Sequence, residues 1–180
     1  DLTRAAFDLS ERHKIPVILR PTTRICHARQ PVDLLPLDAT KRPCAFVKDP
    51  SRWAATPKFR LELHKELNAK LDAIRREFET SPLNLDDPRP GPLGIIAGGV
   101  AWAALLDVMA EEGLDLPVLK IATPFPLPLD RVNAFIARHD RVIVIEEPDA
   151  AIELQIADRR KVQGRLTGHV PAAGELAPDV

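Results

Sequence analysis

Apolar residues near the start of the chain predict a helix followed by a short strand. Residues 2–13 place apolar side chains at the spacing of one helix face, and residues 15–19 form a wholly apolar run. A run of this kind is typical of a strand buried in a parallel sheet. Because no strand-helix unit follows it directly, we expect its neighbouring strands to lie elsewhere.

Residues 20–58 contain several prolines and no sustained period, which predicts a long ordered connection. The clearest helix of the chain follows it. Thr56 suits the N-cap position and Pro57 the first helical position. Six apolar residues then recur at spacings of three and four: Phe59, Leu63, Leu67, Leu71, Ile74 and Phe78.

A proline-rich segment, residues 81–92, separates this helix from an alternation of strands and helices. The predicted elements are a strand at 93–97, a helix at 100–112, a strand at 118–122, a helix around 132–136, a strand at 141–146, a helix through 152–156 and a shorter strand at 161–166. Such alternation specifies parallel strands with right-handed crossovers. We therefore predict an α/β fold over residues 92–170, a three-layer α/β/α domain with a mostly parallel sheet.

Composition narrows the classes of function. The 180 residues are 45% hydrophobic and 28% charged, as in an ordinary globular protein, and a net charge of -1 provides no basic field for nucleic acid. Because no signal peptide or long apolar run appears, we expect a soluble cytoplasmic protein without membrane contact. The chain starts at Asp1 without an initiator Met, and we expect an internal piece of a longer protein.

Two cysteines, Cys26 and Cys44, are too few for a disulfide framework or a cysteine-ligated cluster. Their spacing fits no metal motif. We therefore expect two reduced thiols and no metal site in this chain.

A first candidate site lies at the carboxyl ends of the predicted strands, where ligands of such sheets bind. Gly98 and Gly99 stand between a strand and a helix N-terminus and could offer backbone N–H groups to a phosphate or carboxylate. Thr123 follows the next strand. The glycine spacing matches no dinucleotide or phosphate-loop motif, so a tight turn with close helix–strand packing is the alternative.

Glu146 and Glu147 end a central strand and could supply a general base, a cofactor contact or a charge pair with an arginine. No histidine or second acid with a suitable spacing accompanies them. Strand termination and an interface contact are the structural alternative.

A polar cluster follows the apolar run at residues 15–19, where α/β proteins often hold ligands. Its members are Arg20, Thr22, Thr23, Arg24, His27 and Arg29. Arginines can bind a carboxylate or phosphate through two parallel hydrogen bonds. The cluster therefore predicts either an anion site or a salt-bridge patch between domains.

Residues 20–29, RPTTRICHAR, resemble the segment that ends the pyrimidine-binding domain in thiamine-diphosphate-dependent 2-oxoacid:ferredoxin oxidoreductases. The large subunit of indolepyruvate ferredoxin oxidoreductases is the most similar. Further stretches agree with that family in order: FVKDPSRW at 46–53, ATP at 55–57, GIIAGGVA at 94–101, TPFPLP at 123–128, IEE at 145–147, TGHVP at 167–171 and GEL at 174–176. The resemblance covers nearly the whole chain.

The resemblance implies four segments. Residues 1–35 would end a pyrimidine-binding thiamine domain, 36–91 would be a linker with a long amphipathic helix, 92–170 a transketolase C-terminal-like domain, and 171–180 a connection to the next domain. The family oxidatively decarboxylates indolepyruvate or other aryl 2-oxoacids with coenzyme A and passes electrons to ferredoxin. It uses thiamine diphosphate with Mg and 4Fe-4S clusters, and the resemblance implies an oligomer with a smaller beta subunit.

The chain departs from the family in the residues that carry the chemistry. The Gly-Asp-Gly motif for diphosphate and magnesium is absent, and so are the cluster cysteines. The glutamate that activates thiamine would lie upstream of Asp1. We therefore expect a scaffold and interface segment that binds no cofactor and has no turnover alone.

In that reading Arg20, Thr22, Thr23, Arg24 and His27 border the substrate or cofactor cleft of the intact enzyme. The competing hypothesis is a stand-alone module that binds coenzyme A or another anionic nucleotide at Gly98, Gly99 and Thr123. A purely structural dimerisation domain is a third possibility.

Overall fold

The computed structural model describes residues 2–33, 36, 45–54 and 56–178. Within them the helices are α1 (Leu2–His13), α2 (Thr23–His27), α3 (Pro50–Trp53), α4 (Pro57–Glu79), α5 (Val100–Glu111) and α6 (Leu129–Ala137). The strands are β1 (Leu85–Asp86), β2 (Gly91–Gly98), β3 (Val118–Ile121), β4 (His139–Ile145) and β5 (Val162–Gln163). The predicted helices α1, α4, α5 and α6 are confirmed, and Thr56 and Pro57 begin α4 as expected.

The strands form one sheet in the order β1-β3-β2-β4-β5. The central strand β2 pairs in parallel with β3 and β4, and β5 pairs in parallel with β4. At one edge β1 pairs antiparallel with β3. The mostly parallel sheet predicted from the sequence is confirmed, whereas β1 lies in the segment predicted as a linker.

Alternate residues of β4 face two helical layers, because successive side chains of a strand point to opposite faces. Val142 and Val144 belong to the larger buried cluster, which includes residues of α6. Ile143 and Ile145 pack instead against the smaller cluster, which includes Ala101 of α5. Helices therefore cover both faces, and the three-layer arrangement is confirmed.

Asn84, only 1% exposed, connects the end of α4 to the end of β3. Its Nδ2 donates to the carbonyl oxygen of Phe78 over 3.2 Å and to Oγ1 of Thr123 over 2.8 Å. Its Oδ1 accepts from the backbone N of Ala122 over 2.9 Å. A buried amide with several partners fixes the loop after β3, since leaving such groups unpaired would cost free energy.

Glu79, the last residue of α4, caps the N-terminus of α6. Its two carboxylate oxygens accept from the backbone N–H groups of Asp130 over 3.1 Å and Arg131 over 2.8 Å. The N-cap residue of α6 is Pro128, which has no side chain suited to this task. Arg131 also donates to the carbonyl oxygen of Ser81, just after α4, over 3.1 Å. Hydrogen bonds therefore join the end of α4 to the start of α6.

The strand predicted at 15–19 is wrong for this chain. These residues are extended backbone outside the sheet, and Ile18 is 87% exposed. A strand needs a hydrogen-bonded neighbour, and among the described residues none lies beside this segment. The apolar pattern identified a segment suited to burial but could not supply its partner.

Two further elements are shorter than predicted. The helix predicted through 152–156 is a single 3-10 turn, Glu153–Gln155. The last strand, predicted at 161–166, covers only Val162–Gln163. The chain then turns at Gly164, where a Cβ atom would lie 2.5 Å from Oε2 of Glu153. A side chain at this position would clash with the buried carboxylate of Glu153.

Candidate functional site

The predicted loops meet at one edge of the sheet. β2 ends at Gly98, β3 at Ile121 and β4 at Ile145, and the three strands are parallel neighbours. Because parallel strands place their carboxyl ends at the same edge, the loops that contain Gly99, Thr123 and Glu146 lie side by side. We call this region the carboxyl edge.

Gly98 and Gly99 serve the turn between β2 and α5. A Cβ atom at Gly98 would lie 3.1 Å from the carbonyl oxygen of Ile121 and 3.2 Å from Cδ1 of Ile152. Gly99 is the N-cap of α5 and has a φ of 62°, which favours glycine. Both glycines thus have packing or backbone reasons to be present, and anion binding at α5 stays a prediction.

Thr123 is buried at the carboxyl edge, and its hydroxyl is hydrogen-bonded to Asn84. Oγ1 of Thr123 lies 2.8 Å from Nδ2 and 3.2 Å from Oδ1 of Asn84. The backbone N of Thr123 also donates to Asn84. A ligand that used this hydroxyl would therefore have to compete with an internal hydrogen bond.

Glu146 is 4% exposed and supports the following turn. Its carboxylate oxygens accept from the backbone N of Ile152 over 2.7 Å and of Glu153 over 2.9 Å. Burial raises the pKa of this carboxyl, and the charge of Glu153 adds to the increase, while the two backbone hydrogen bonds oppose it. This geometry favours the structural alternative for Glu146.

Two further buried charged residues support the loop after β4. Nε of Arg165 donates to the carbonyl oxygen of Glu146 over 2.7 Å. Oε2 of Glu153, whose side chain is fully buried, accepts from the backbone N of Leu166 over 3.1 Å. The loops after β4 and β5 are therefore joined by side chains that the sequence pattern did not single out.

The polar cluster at residues 20–29 lies on the surface. Thr22 is the N-cap of α2, and its Oγ1 accepts from the backbone N of Ile25 over 3.5 Å. Arg20, Thr23, Arg24, Cys26 and His27 are exposed. Arg24 forms an ion pair with Glu175. The role of this cluster in a cleft stays a prediction, and Cys44 lies outside the described residues.

A chain of contacts connects the polar cluster to the carboxyl edge. Arg24 pairs with Glu175, and the next residue, Leu176, donates its backbone N–H to Oε2 of Glu147 over 2.8 Å. Glu147 is the second residue after β4 at that edge. The two candidate regions from the sequence thus lie on connected parts of the surface.

Sequence reasoning missed Asn84, Glu153 and Arg165. Each is a polar residue that is buried only because distant segments meet around it. A hydropathy pattern assigns such residues to solvent, so no signal in one sequence distinguishes them from exposed neighbours.

The described part of the chain holds no group of three or more histidine, cysteine, aspartate or glutamate side chains placed to bind a metal ion. Within that same part, no helix is both long and apolar enough to span a bilayer.

Curated proteins similar to this chain carry one name. Over 184 residues the chain is 35% identical to "Indolepyruvate oxidoreductase subunit IorA" of Methanothermobacter marburgensis, an alignment that covers 97% of the chain. It is 35% identical over 163 residues to the same subunit of Pyrococcus abyssi and 34% identical over 175 residues to that of Archaeoglobus fulgidus. The chain is related to IorA. This similarity confirms the resemblance inferred from the motifs.

The chain spans 30%, 25% and 28% of these three IorA subunits, so it corresponds to one segment of them. Among solved structures, a "2-oxoglutarate:ferredoxin oxidoreductase from Magnetococcus marinus with 2-oxoglutarate, coenzyme A and succinyl-CoA bound" aligns with 69% of this chain and 22% of that chain. The TM-score is 0.48 and the identity 15%. No family model matches the chain.

Proposed function

We propose that this chain works as a scaffold and interface segment of an IorA-type subunit. The whole enzyme would oxidatively decarboxylate indolepyruvate or another aryl 2-oxoacid with coenzyme A and ferredoxin. The observation that supports this most is the 35% identity to IorA over 97% of the chain. The smaller subunit would be its partner, and the cytoplasm its location.

The chemistry of that enzyme would reside outside this segment. A 4Fe-4S cluster needs four cysteine ligands, whereas the chain has two cysteines. The described residues also provide no cluster of three acidic or histidine side chains for a metal such as magnesium. The cysteine count does not fit an iron–sulfur cluster, and the described part of the chain does not fit a magnesium site, so we derive no catalytic step from these residues.

The internal contacts of the carboxyl edge support a structural role. Thr123 is held by Asn84, Glu146 caps the turn after β4, and Glu147 holds Leu176. Side chains that are already paired are better suited to fix loops than to bind a substrate. The alternative module that binds an anionic nucleotide at Gly98, Gly99 and Thr123 has less support from these contacts.

Within the intact enzyme, Arg24 is the best candidate for a contact with an anionic group. Arg24 and Glu175 are both largely exposed, so their ion pair is weak and a substrate or coenzyme anion could replace it. Arg20 and His27 lie on the same exposed segment. The segment would thus border the cleft without supplying the reacting groups.

The test is to express the intact reading frame anaerobically with its partner subunit. Visible absorption would be recorded before and after addition of indolepyruvate and coenzyme A, together and separately. We expect an iron–sulfur band that bleaches only when both are present. A colourless protein, or one that does not respond, would refute the oxidoreductase proposal.

Variants of the same enzyme test the role of Arg24. Arg24→Ala should raise the KM for indolepyruvate or coenzyme A roughly tenfold, which corresponds to ~1.4 kcal/mol. Arg160→Ala is the matched control, because Arg160 is also exposed and paired with a carboxylate, that of Asp158. Equal KM values for the two variants would show that Arg24 does not contact the substrate or coenzyme A.

A further inference from the structure

Three large apolar side chains are exposed on loops at the carboxyl edge. Phe125 is 69% exposed after β3, Leu154 is 64% exposed after β4, and Leu166 is 49% exposed after β5. We call these three residues the apolar patch. Aromatic and aliphatic side chains grouped on a surface mark sites of protein contact more often than isolated ones do.

The three loops share one turn, Glu153–Gln155. Nε2 of Gln155 donates to the carbonyl oxygen of Pro124 over 2.7 Å, and Oε1 accepts from the backbone N of Leu127 over 3.1 Å. Oε2 of Glu153 accepts from the backbone N of Leu166 over 3.1 Å. Leu154 therefore lies in this turn, Leu166 is hydrogen-bonded to it, and Phe125 is the neighbour of Pro124, which is hydrogen-bonded to it.

The backbone beneath the apolar patch is anchored in the core. Leu127, Ile152 and Ile156 are 1%, 2% and 1% exposed and belong to the larger buried cluster. The patch is thus presented on fixed loops, and exposure does not result from a loose segment. A surface that is ordered before contact loses little conformational entropy when it is covered.

The lengths of the relatives indicate what could cover the patch. The segment of IorA that matches this chain is 30% of the Methanothermobacter marburgensis subunit, so most of that polypeptide lies outside it. Leu176 also lies at the carboxyl edge, where its backbone N–H donates to Glu147. Contacts between domains of one chain commonly combine apolar and polar residues in this way.

We propose that the apolar patch is an interface covered by another domain of the same IorA-type polypeptide. This inference rests on the proposed function, because it takes the chain to be a segment of such a subunit. Phe125 is the expected anchor, since it is the largest and most exposed side chain of the apolar patch. The smaller subunit is the competing occupant.

Hydroxyl-radical footprinting of the large subunit, alone and with the smaller subunit, tests the proposal. Labelling of Phe125, Leu154 and Leu166 would be compared with the same peptides in the denatured protein. We expect protection on the order of tenfold in both samples, as for side chains in an interface core. Protection that requires the smaller subunit would overturn the proposal, and so would rapid labelling in both samples.

Substitution provides a second measurement. Phe125→Asp should make the large subunit more sensitive to limited proteolysis between domains, while Leu61→Asp, at a residue 63% exposed on α4, should change it less. Neither measurement depends on turnover. An enzyme that responds to indolepyruvate and coenzyme A but shows no protection would disprove the interface and leave the proposed function intact.

Discussion

Gly94 of β2 lies against the rings of Phe135 in α6 and His139 in β4. A Cβ atom at this position would lie 2.8 Å from Cε1 of Phe135 and 2.8 Å from Cγ of His139, both buried. Such an atom can be accommodated only if the rings of both Phe135 and His139 move, or if the backbone of β2 shifts. Gly94→Ala should therefore lower the free energy of unfolding by ~1–3 kcal/mol, measured by urea denaturation.

Gly91 on the same strand is the matched control. A Cβ atom there would meet its nearest atoms at 3.8 Å, an ordinary contact distance. Gly91→Ala should change the free energy of unfolding by no more than about 0.5 kcal/mol. If Gly94→Ala lowers the free energy of unfolding no more than Gly91→Ala does, the rings that surround Gly94 can move aside at little cost, and this account is wrong.

Glu146 makes stability depend on pH. Burial raises the pKa of its carboxyl in the folded chain, so the folded state favours the protonated form more than the unfolded state does. The stabilisation is complete below the unfolded pKa and is lost as pH rises through the folded pKa. Wild-type stability should therefore fall, relative to Glu146→Gln, as pH rises across this window.

The measurement is the difference in unfolding free energy between wild type and Glu146→Gln, from about pH 4 to about pH 8. A difference that stays constant would show that Glu146 titrates alike in both states. A change in the opposite direction would mean that the hydrogen bonds from Ile152 and Glu153 outweigh burial.

At the scale of elements, the joint between α4 and α6 depends on one carboxylate. Glu79 accepts from two backbone N–H groups in the first turn of α6, and its charge suits a helix N-terminus. Glu79→Ala should lower the free energy of unfolding by about 1–2 kcal/mol, measured by urea denaturation. Glu62→Ala, an exposed position on α4, serves as the control, and a similar loss there would contradict this account.

The sequence predicted most elements whose patterns are local. The spacing from Phe59 to Phe78 identified α4, and apolar runs identified β2, β3 and β4. It failed where the structure depends on distant partners. The two-residue strand β1 exists because β3 lies beside it. Residues 15–19 form no strand, because no described strand lies beside them.

The candidate site shows the same limit at the scale of the whole molecule. Parallel strands placed Gly99, Thr123 and Glu146 at one edge, which alternation of strands and helices could predict. The pairing of Thr123 with Asn84 could not be predicted, because that contact joins residues far apart in sequence. The capping of the turn after β4 by Glu146 depends on a buried loop geometry that the pattern does not specify. Motif resemblance pointed to the large subunit of indolepyruvate ferredoxin oxidoreductases, whereas residue chemistry alone left the activity open.

Burial differs between two parts of the molecule. Helices α1, α2 and α3 contain no buried residues, whereas β2 and β4 contain most of the sheet core. The contacts of α1 with α4 include an ion pair of Arg12 with Glu77 and a hydrogen bond between Nε2 of His13 and the same carboxylate. Partly exposed ion pairs stabilise weakly and are screened by salt.

Hydrogen exchange followed by mass spectrometry should therefore separate these parts. Amides of α1 should exchange by local opening, much faster than those of β2 and β4, which require global unfolding. Raising the salt concentration from ~0.05 M to ~1 M should accelerate exchange in α1, because it screens the ion pair of Arg12 with Glu77. Exchange in β2 should change little, since its contacts are apolar and backbone hydrogen bonds. Uniform protection across the chain would show instead that α1 unfolds only together with the sheet.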